Sequence, residues 1–261
     1  MSISLGNAIK SLKEDEKWIK KVLIGGFVAL FTVIASGMME SEGASIPAKI
    51  IGIGLYLLFG SFLSGFCVST GNKMLNTGSN TMSEWSEPNL LLKGLKFLFS
   101  WIVYTIIAAV IFTLVSIVLF IVLAVILGLI YYLINLIFHT NILFTNILVG
   151  IIASLIGTVF ILYYMQFINA AYVSYYNKLS FHDLIALKKQ FRMIRENKHA
   201  SWTLIGKEIL YILLFLLIAL ILCITIVGII LLPFVYFGAF MVMTNLYAQF
   251  GREIGIGRYL E

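Results

Sequence analysis

Three histidines, two cysteines and twelve carboxylates are the groups in this chain from which acid–base, nucleophilic or metal chemistry would have to be built. His139, His182 and His199 do not stand at ligand spacing from one another or from a cysteine. The chain contains no HExxH helix, GxSxG elbow, phosphate-cradling Gly-Lys-Ser loop or paired-cysteine motif. Cys67 and Cys223 both lie in apolar runs, where a thiol behaves as a small hydrophobe. Glu84, Asp183 and Glu196 are too scattered to form a carboxylate pair. On these grounds we expect no enzyme activity, no cofactor and no metal. What remains are neutral polar side chains inside apolar sequence. Asn135 and His139, with Asn141 and Asn146, fit either a polar relay or a wet loop at a bilayer surface. Gln166 and Asn169, three apart, share a helix face, as do Asn245 and Gln249, four apart. Interhelical hydrogen bonds between such side chains in lipid contribute about 1 kcal/mol each.

The elements that carry these residues are apolar to a degree that decides the class. From Phe97 to Asn177 there is no Asp, Glu, Lys or Arg. A soluble domain cannot leave so long a stretch uncharged. Hydrophobic residues make up 61% and charged residues 11% of the chain, against about 45–50% and about 25% in soluble domains. With three prolines and few polar runs there is little room for linkers. The expectation is one all-α integral membrane domain over residues 1–261, a polytopic transmembrane bundle with amphipathic interfacial helices. At about 20 residues per crossing, six spans fall near 20–38, 50–69, 97–118, 147–175, 208–225 and 229–248. The run 119–138 reads as an interfacial or re-entrant helix, or as a seventh span.

Several local signals place the boundaries. Leu5, Ala8, Ile9 and Leu12 recur at helical spacing among charges, as in a short helix lying on the membrane surface. Trp18, Lys20 and Lys21 form an interfacial anchor before the first span. Gly60 with Ser61, and Ser64 with Gly65, permit a close helix approach in the second. Ser86-Glu87-Pro88 reads as the start of a helix whose apolar face is Leu90, Leu91, Leu95 and Phe97. Thr225 to Gly228 reads as a turn before the last span. Positive charge concentrates before the first span and between Lys178 and Lys207, so both termini and the segments 71–96 and 178–207 are expected in the cytoplasm. A net charge of +6 would raise nucleic acid as a partner in a soluble protein. Here no groove-reading or stacking motif accompanies it, and nucleic acid is not expected.

The basic segment has its own pattern. Ser180 and Asp183 form an S-x-x-D capping signal, and Phe181, Leu184, Leu187, Phe191 and Ile194 fall on one face. Lys188, Lys189, Arg192 and Arg195 cover much of the rest. One helix from Ser180 to Glu196 would suit anionic headgroups, each nearby cation contributing about 1 kcal/mol.

Lys-Trp before a span that begins Leu23-Ile24-Gly25-Gly26, the polar stretch ending Ser83-Glu84-Trp85, the helix Leu91-Leu92-Lys93-Gly94-Leu95, Ala170-Ala171-Tyr172 before a basic Phe-Arg-x-Ile helix, and the closing Gly228-Ile229-Ile230-Leu231-Leu232-Pro233-Phe234 occur in this order. In this the chain resembles the archaeal and bacterial membrane family catalogued as domain of unknown function 4013. It departs from that pattern in lacking Leu-Pro before Glu84-Trp85 and in its long run 119–145. It is also distantly similar to the membrane domain attached to some glycerophosphodiester phosphodiesterases, without their catalytic domain. The resemblance implies a multi-pass membrane protein with no established reaction. The leading expectation is a membrane scaffold or accessory subunit. It would contact the bilayer and anionic lipids, and would assemble with a membrane-protein partner or as a homo-oligomer. The alternatives are a transporter or channel for a small solute or lipid, and then a lipid-modifying enzyme.

Overall fold

The structure, a computed structural model, describes residues 3–138 and 142–260, without the side chains of 134–138, 142–145, 226 and 260. The described residues form helices and no strand: α1 Leu5–Glu14, α2 Trp18–Glu40, α3 Ile46–Thr77, α4 Leu90–Phe138, α5 Ile142–Lys178, α6 Phe181–Leu184, α7 Leu187–Glu196, α8 Lys198–Cys223, α9 Ile226–Ile254 and α10 Gly257–Leu260. Six of them, α2, α3, α4, α5, α8 and α9, are long and apolar enough to cross a membrane. The chain is therefore an all-helical, multi-pass membrane protein.

The core gathers where α3, α9, α2, the first half of α4 and the last half of α5 meet. Phe66 of α3 stacks on Trp85, with ring centroids 4.0 Å apart, and Phe237 of α9 lies 5.8 Å from Phe66. On the other side Trp101 of α4 packs on Tyr172 of α5 at 4.3 Å, and Tyr172 stacks on Tyr247 of α9 at 5.2 Å. Buried α4 positions are Leu90, Gly94, Phe97, Ser100, Tyr104 and Ala108, a stripe at three- and four-residue spacing. Of the expected face Leu90, Leu91, Leu95 and Phe97, Leu90 and Phe97 are buried, but Leu95 is exposed and the face is rotated toward Gly94. The rotation has a cause in Gly94. Its Cα sits against the Ser61 carbonyl of α3 while Gly65 sits against the Leu90 carbonyl, so two backbones touch where a side chain would separate them. Gly65 was expected to do this. Its partner Gly94 was not, and Gly60 makes only ordinary contacts.

Helix starts differ from expectation where a side chain found a better partner. Ser86-Glu87-Pro88 does not begin α4. Asn89 adopts a left-handed φ of 65° and the helix starts after it, while Glu87 pairs with Lys93 in the first turn. Thr225 caps α9 by accepting from the Gly228 N–H at 2.9 Å, which makes the expected turn between α8 and α9. The surface helix α1 lies on protein: Ser4 N–H donates to Gln249 Oε1 of α9 at 2.8 Å, and Ala8 and Ser11 are buried. That contact brings the N-terminal helix to the end of the bundle where α9 finishes.

The stretch 119–138 is neither a separate interfacial helix nor a re-entrant one. It continues α4, which runs 49 residues without a break. The physical reason is plain in the residues: no proline interrupts it, and the single glycine, Gly128, is tolerated in a helix whose backbone bonds must be satisfied internally in lipid. Beyond Phe112, which meets Phe160 of α5 at 5.6 Å, α4 and α5 leave the bundle as a two-helix arm.

Candidate functional site

Polar and aromatic side chains converge at the α5, α8 and α9 junction. Asn169 of α5 donates through Nδ2 to Glu208 Oε2 of α8 at 2.6 Å. The Tyr247 phenol of α9 lies against the same carboxyl group. Glu208 is only 1% exposed, and its Oε1 has no hydrogen-bond partner among the described residues. The expected span 208–225 begins at Glu208 and so places the carboxylate at a membrane boundary. The structure corrects this, because α8 begins at Lys198 and carries Glu208 well inside the helix. Its signal was present in the spacing: Ser201, Leu204, Ile205 and Glu208 fall on one face and all are buried.

Next to this carboxylate lies a half-enclosed cavity of about 370 Å³, within the range of small-molecule pockets. Its walls are strongly aromatic. Trp101, Tyr172, Tyr176, Tyr211, Tyr236 and Tyr247 all line it, with Cys67 the one thiol. The phenols come from α5, α8 and α9, three elements brought together only by the fold. The cavity therefore could not be read from any one segment.

Of the expected polar contacts, Asn245 and Gln249 serve packing. Gln249 Nε2 donates to Asn245 Oδ1 at 2.6 Å and to the Ser4 carbonyl at 3.3 Å, and Asn245 Nδ2 faces Met74 Sδ at 3.5 Å. Gln166 is buried, with Nε2 unpartnered among the described residues. Asn135, by its side chain, and His139, altogether, lie outside the described residues.

The basic segment is two helices, α6 and α7, broken at Ile185 and Ala186. Ser180 makes no side-chain cap bond. Instead, Gln190 Nε2 donates to the Leu184 carbonyl at 2.6 Å, satisfying the broken end from within. The buried face of α7 is Gln190, Met193 and Ile194, while Phe191 is 54% exposed and packs on Phe167 of α5 at 6.3 Å. Phe181 and Phe191 thus leave the expected apolar face. Lys188, Arg192 and Arg195 are exposed and Lys189 is half-buried. The Arg192 Nε pairs with Glu196 at 2.9 Å.

A second polar cluster, missed in the sequence, ties the N-terminus to the loop before α4. Lys21 Nζ lies 2.8 Å from Asp15 Oδ2 and 2.9 Å from Glu84 Oε1, and donates to the Met82 carbonyl at 3.0 Å. Asp15 also accepts from the Met82 N–H at 3.0 Å, and Trp85 Nε1 donates to the Lys21 carbonyl at 3.1 Å. Burial raises the Asp15 carboxyl, but Lys21 and the backbone N–H groups of Lys17 and Met82 outweigh it and hold the group below the usual carboxylate value. Lys21, expected as an interfacial anchor, is instead 3% exposed. Among the described residues no group of His, Cys, Asp and Glu is arranged to hold a metal ion.

No family model, curated protein or solved structure matches this chain.

Proposed function

We propose that this protein is a membrane scaffold or accessory subunit of the cell membrane, and that the α4–α5 arm is the element with which it docks a protein partner inside the bilayer. The observation that carries the reading is the length of the uncharged part of α4 set against what lipid can cover. At about 1.5 Å per residue, the 42 residues from Phe97 to Phe138 extend about 63 Å. Tilted by 40°, the upper end of the usual range, such a helix still rises about 48 Å, against a hydrocarbon core of about 30 Å. Its surface past the bundle is apolar on every side: Leu114, Val118, Phe120 and Ile121 are 58–73% exposed. Apolar surface in excess of the lipid thickness needs protein to cover it. The two arms also leave an apolar cleft of about 520 Å³ between them, lined by Leu123, Leu127, Ala153 and Ile156 among others. An incompletely packed pair suits a third or fourth helix.

The orientation we propose has both termini in the cytoplasm. It is supported by the lysine and arginine excess around α1 and α7. The anchoring of α1 on the last turns of α9 supports placing the two termini at one end of the bundle.

The test joins α4 to α5 by a short turn above the Phe112–Phe160 contact, removing the arm and keeping the bundle. Extracted in mild detergent, the full chain is expected to migrate as an assembly, and the trimmed chain as a folded monomer. An assembly of unchanged size after trimming contradicts the reading.

A second reading, a carrier of a small solute, is favoured by the buried Glu208 beside the tyrosine-lined cavity, since ionisable groups inside membrane helices mark solute and proton paths. It requires that Glu208→Gln change proton or solute flux in proteoliposomes. Equal flux through the wild type and the variant, or through the wild type and empty vesicles, removes it.

A further inference from the structure

We infer that the pocket at the α5, α7 and α8 junction is a binding site for the phosphate of an anionic phospholipid. The pocket, about 360 Å³, is lined by Tyr163, Gln166 and Phe167 of α5, Phe191, Ile194 and Arg195 of α7, and Lys198 and Trp202 of α8. Three features give it the chemistry of a lipid headgroup site. Two cations, Arg195 and Lys198, come to it from different helices, and neither has an ion-pair partner among the described residues, whereas Arg192 is engaged by Glu196. Gln166, 3% exposed, brings a buried amide nitrogen with no partner among the described residues, a donor that a phosphate oxygen would satisfy. Tyr163 and Trp202 meet edge to face at 5.7 Å on the rim, both more than a third exposed. That pairing belongs at the level where acyl chains meet headgroups.

The break between α6 and α7 is what assembles the site. The chain turns back after α5, so α7 lies along α5 and Arg195 reaches the level of Gln166. A free phosphate would use the same cations but leave Phe167, Phe191 and Trp202 uncovered. An acyl chain leaving the pocket covers them, which favours a lipid.

The full chain, delipidated in a neutral maltoside detergent, is titrated with short-chain phosphatidylglycerol, with phosphatidylcholine of the same chains and with inorganic phosphate, and bound lipid is counted by native mass spectrometry. Phosphatidylglycerol is expected to bind about tenfold more tightly than phosphatidylcholine, the ratio that one charge-assisted contact supplies. The Arg195→Gln/Lys198→Gln double variant is expected to abolish that ratio. Lys188→Gln/Lys189→Gln, with equal charge removed from the same segment, is expected to keep it, and Gln166→Leu to lower it. The thermal midpoint of each variant distinguishes lost binding from lost fold: a variant that unfolds is replaced by Arg195→Lys, expected to retain the preference. Equal loss in the two double variants overturns the site in favour of a diffuse surface charge. Competition by millimolar inorganic phosphate to full displacement overturns the lipid assignment.

Discussion

Replacing Lys21 by methionine is expected to lower the stability of the purified protein by about 3–5 kcal/mol, the cost of removing one partner of a buried ion pair. The ammonium is 4% exposed and is shared by Asp15, Glu84 and the Met82 carbonyl. Methionine keeps most of the volume but leaves Asp15, 6% exposed at its side chain, ionised and unpaired. The double variant Lys21→Met/Asp15→Asn is expected to recover part of the loss, because no uncompensated charge then remains. Glu84→Gln is expected to cost under about 1 kcal/mol, since the Glu84 side chain is 52% exposed and its pairing is screened by water. The same network sets a pH dependence. Asp15 is held below its ordinary value in the folded protein, so its contribution is fully present above the unfolded carboxylate value, about 3.9. It is lost as pH falls through the lower folded value. Thermal midpoints in detergent are expected to draw together for the wild type and Lys21→Met/Asp15→Asn as pH falls from the unfolded carboxylate value through the lower folded one. A gap that stays constant through the acid range until both unfold contradicts this account of the network.

Gly94→Leu is the other large effect. A side chain at position 94 would meet the Ser61 carbonyl of α3 directly, and at Gly65 it would meet the Leu90 carbonyl. Overpacking against flexible side chains costs about 1–3 kcal/mol. Here the obstacle is backbone on both sides, so the helices must separate and Phe97 and Trp101 lose their seat on Tyr172 and Tyr175. We expect about 3 kcal/mol or more, read as a fall in thermal midpoint. Gly54→Leu, on the partner helix α3 and with nothing within 4 Å of a side chain there, serves as the control and is expected to be neutral within about 0.5 kcal/mol. Equal effects at the two positions would mean that the α3–α4 contact does not carry the packing.

What could be read beforehand was whatever a single segment encodes. Apolar length predicted six crossing helices, and Gly65 and Thr225 marked a close approach and a turn where the structure has them. What escaped was what depends on partners distant in sequence. Lys21 carries the cue of an interfacial anchor, and only the return of the loop at Met82 and Glu84 turns it into a buried ion pair. Glu208 reads as a flanking charge until Asn169 and Tyr247 close over it. The hydrophobic pattern of the basic segment predicted one helix with Phe181, Leu184, Leu187, Phe191 and Ile194 on its apolar face. Packing on α5 buries Ile194 as expected but adds Gln190 and Met193 and leaves Phe191 exposed, because the amide of Gln190 is needed at the Leu184 carbonyl. The apolar run 97–138, longer than one crossing, reads as a span followed by a second element over 119–138. Length alone does not break a helix, and neither Gly128 nor any other residue there does.

The central claim is that the apolar arm is covered by protein in the membrane, and a photoreactive benzophenone amino acid in place of Val118, 63% exposed on α4 beyond the bundle, tests it directly. Irradiated in native membranes, the full chain is expected to form a discrete protein adduct, of twice the chain mass if the partner is a second copy. The same probe at Ile50, 62% exposed on α3 outside the arm, is expected to capture lipid. Adducts to lipid alone from position 118 would contradict the account.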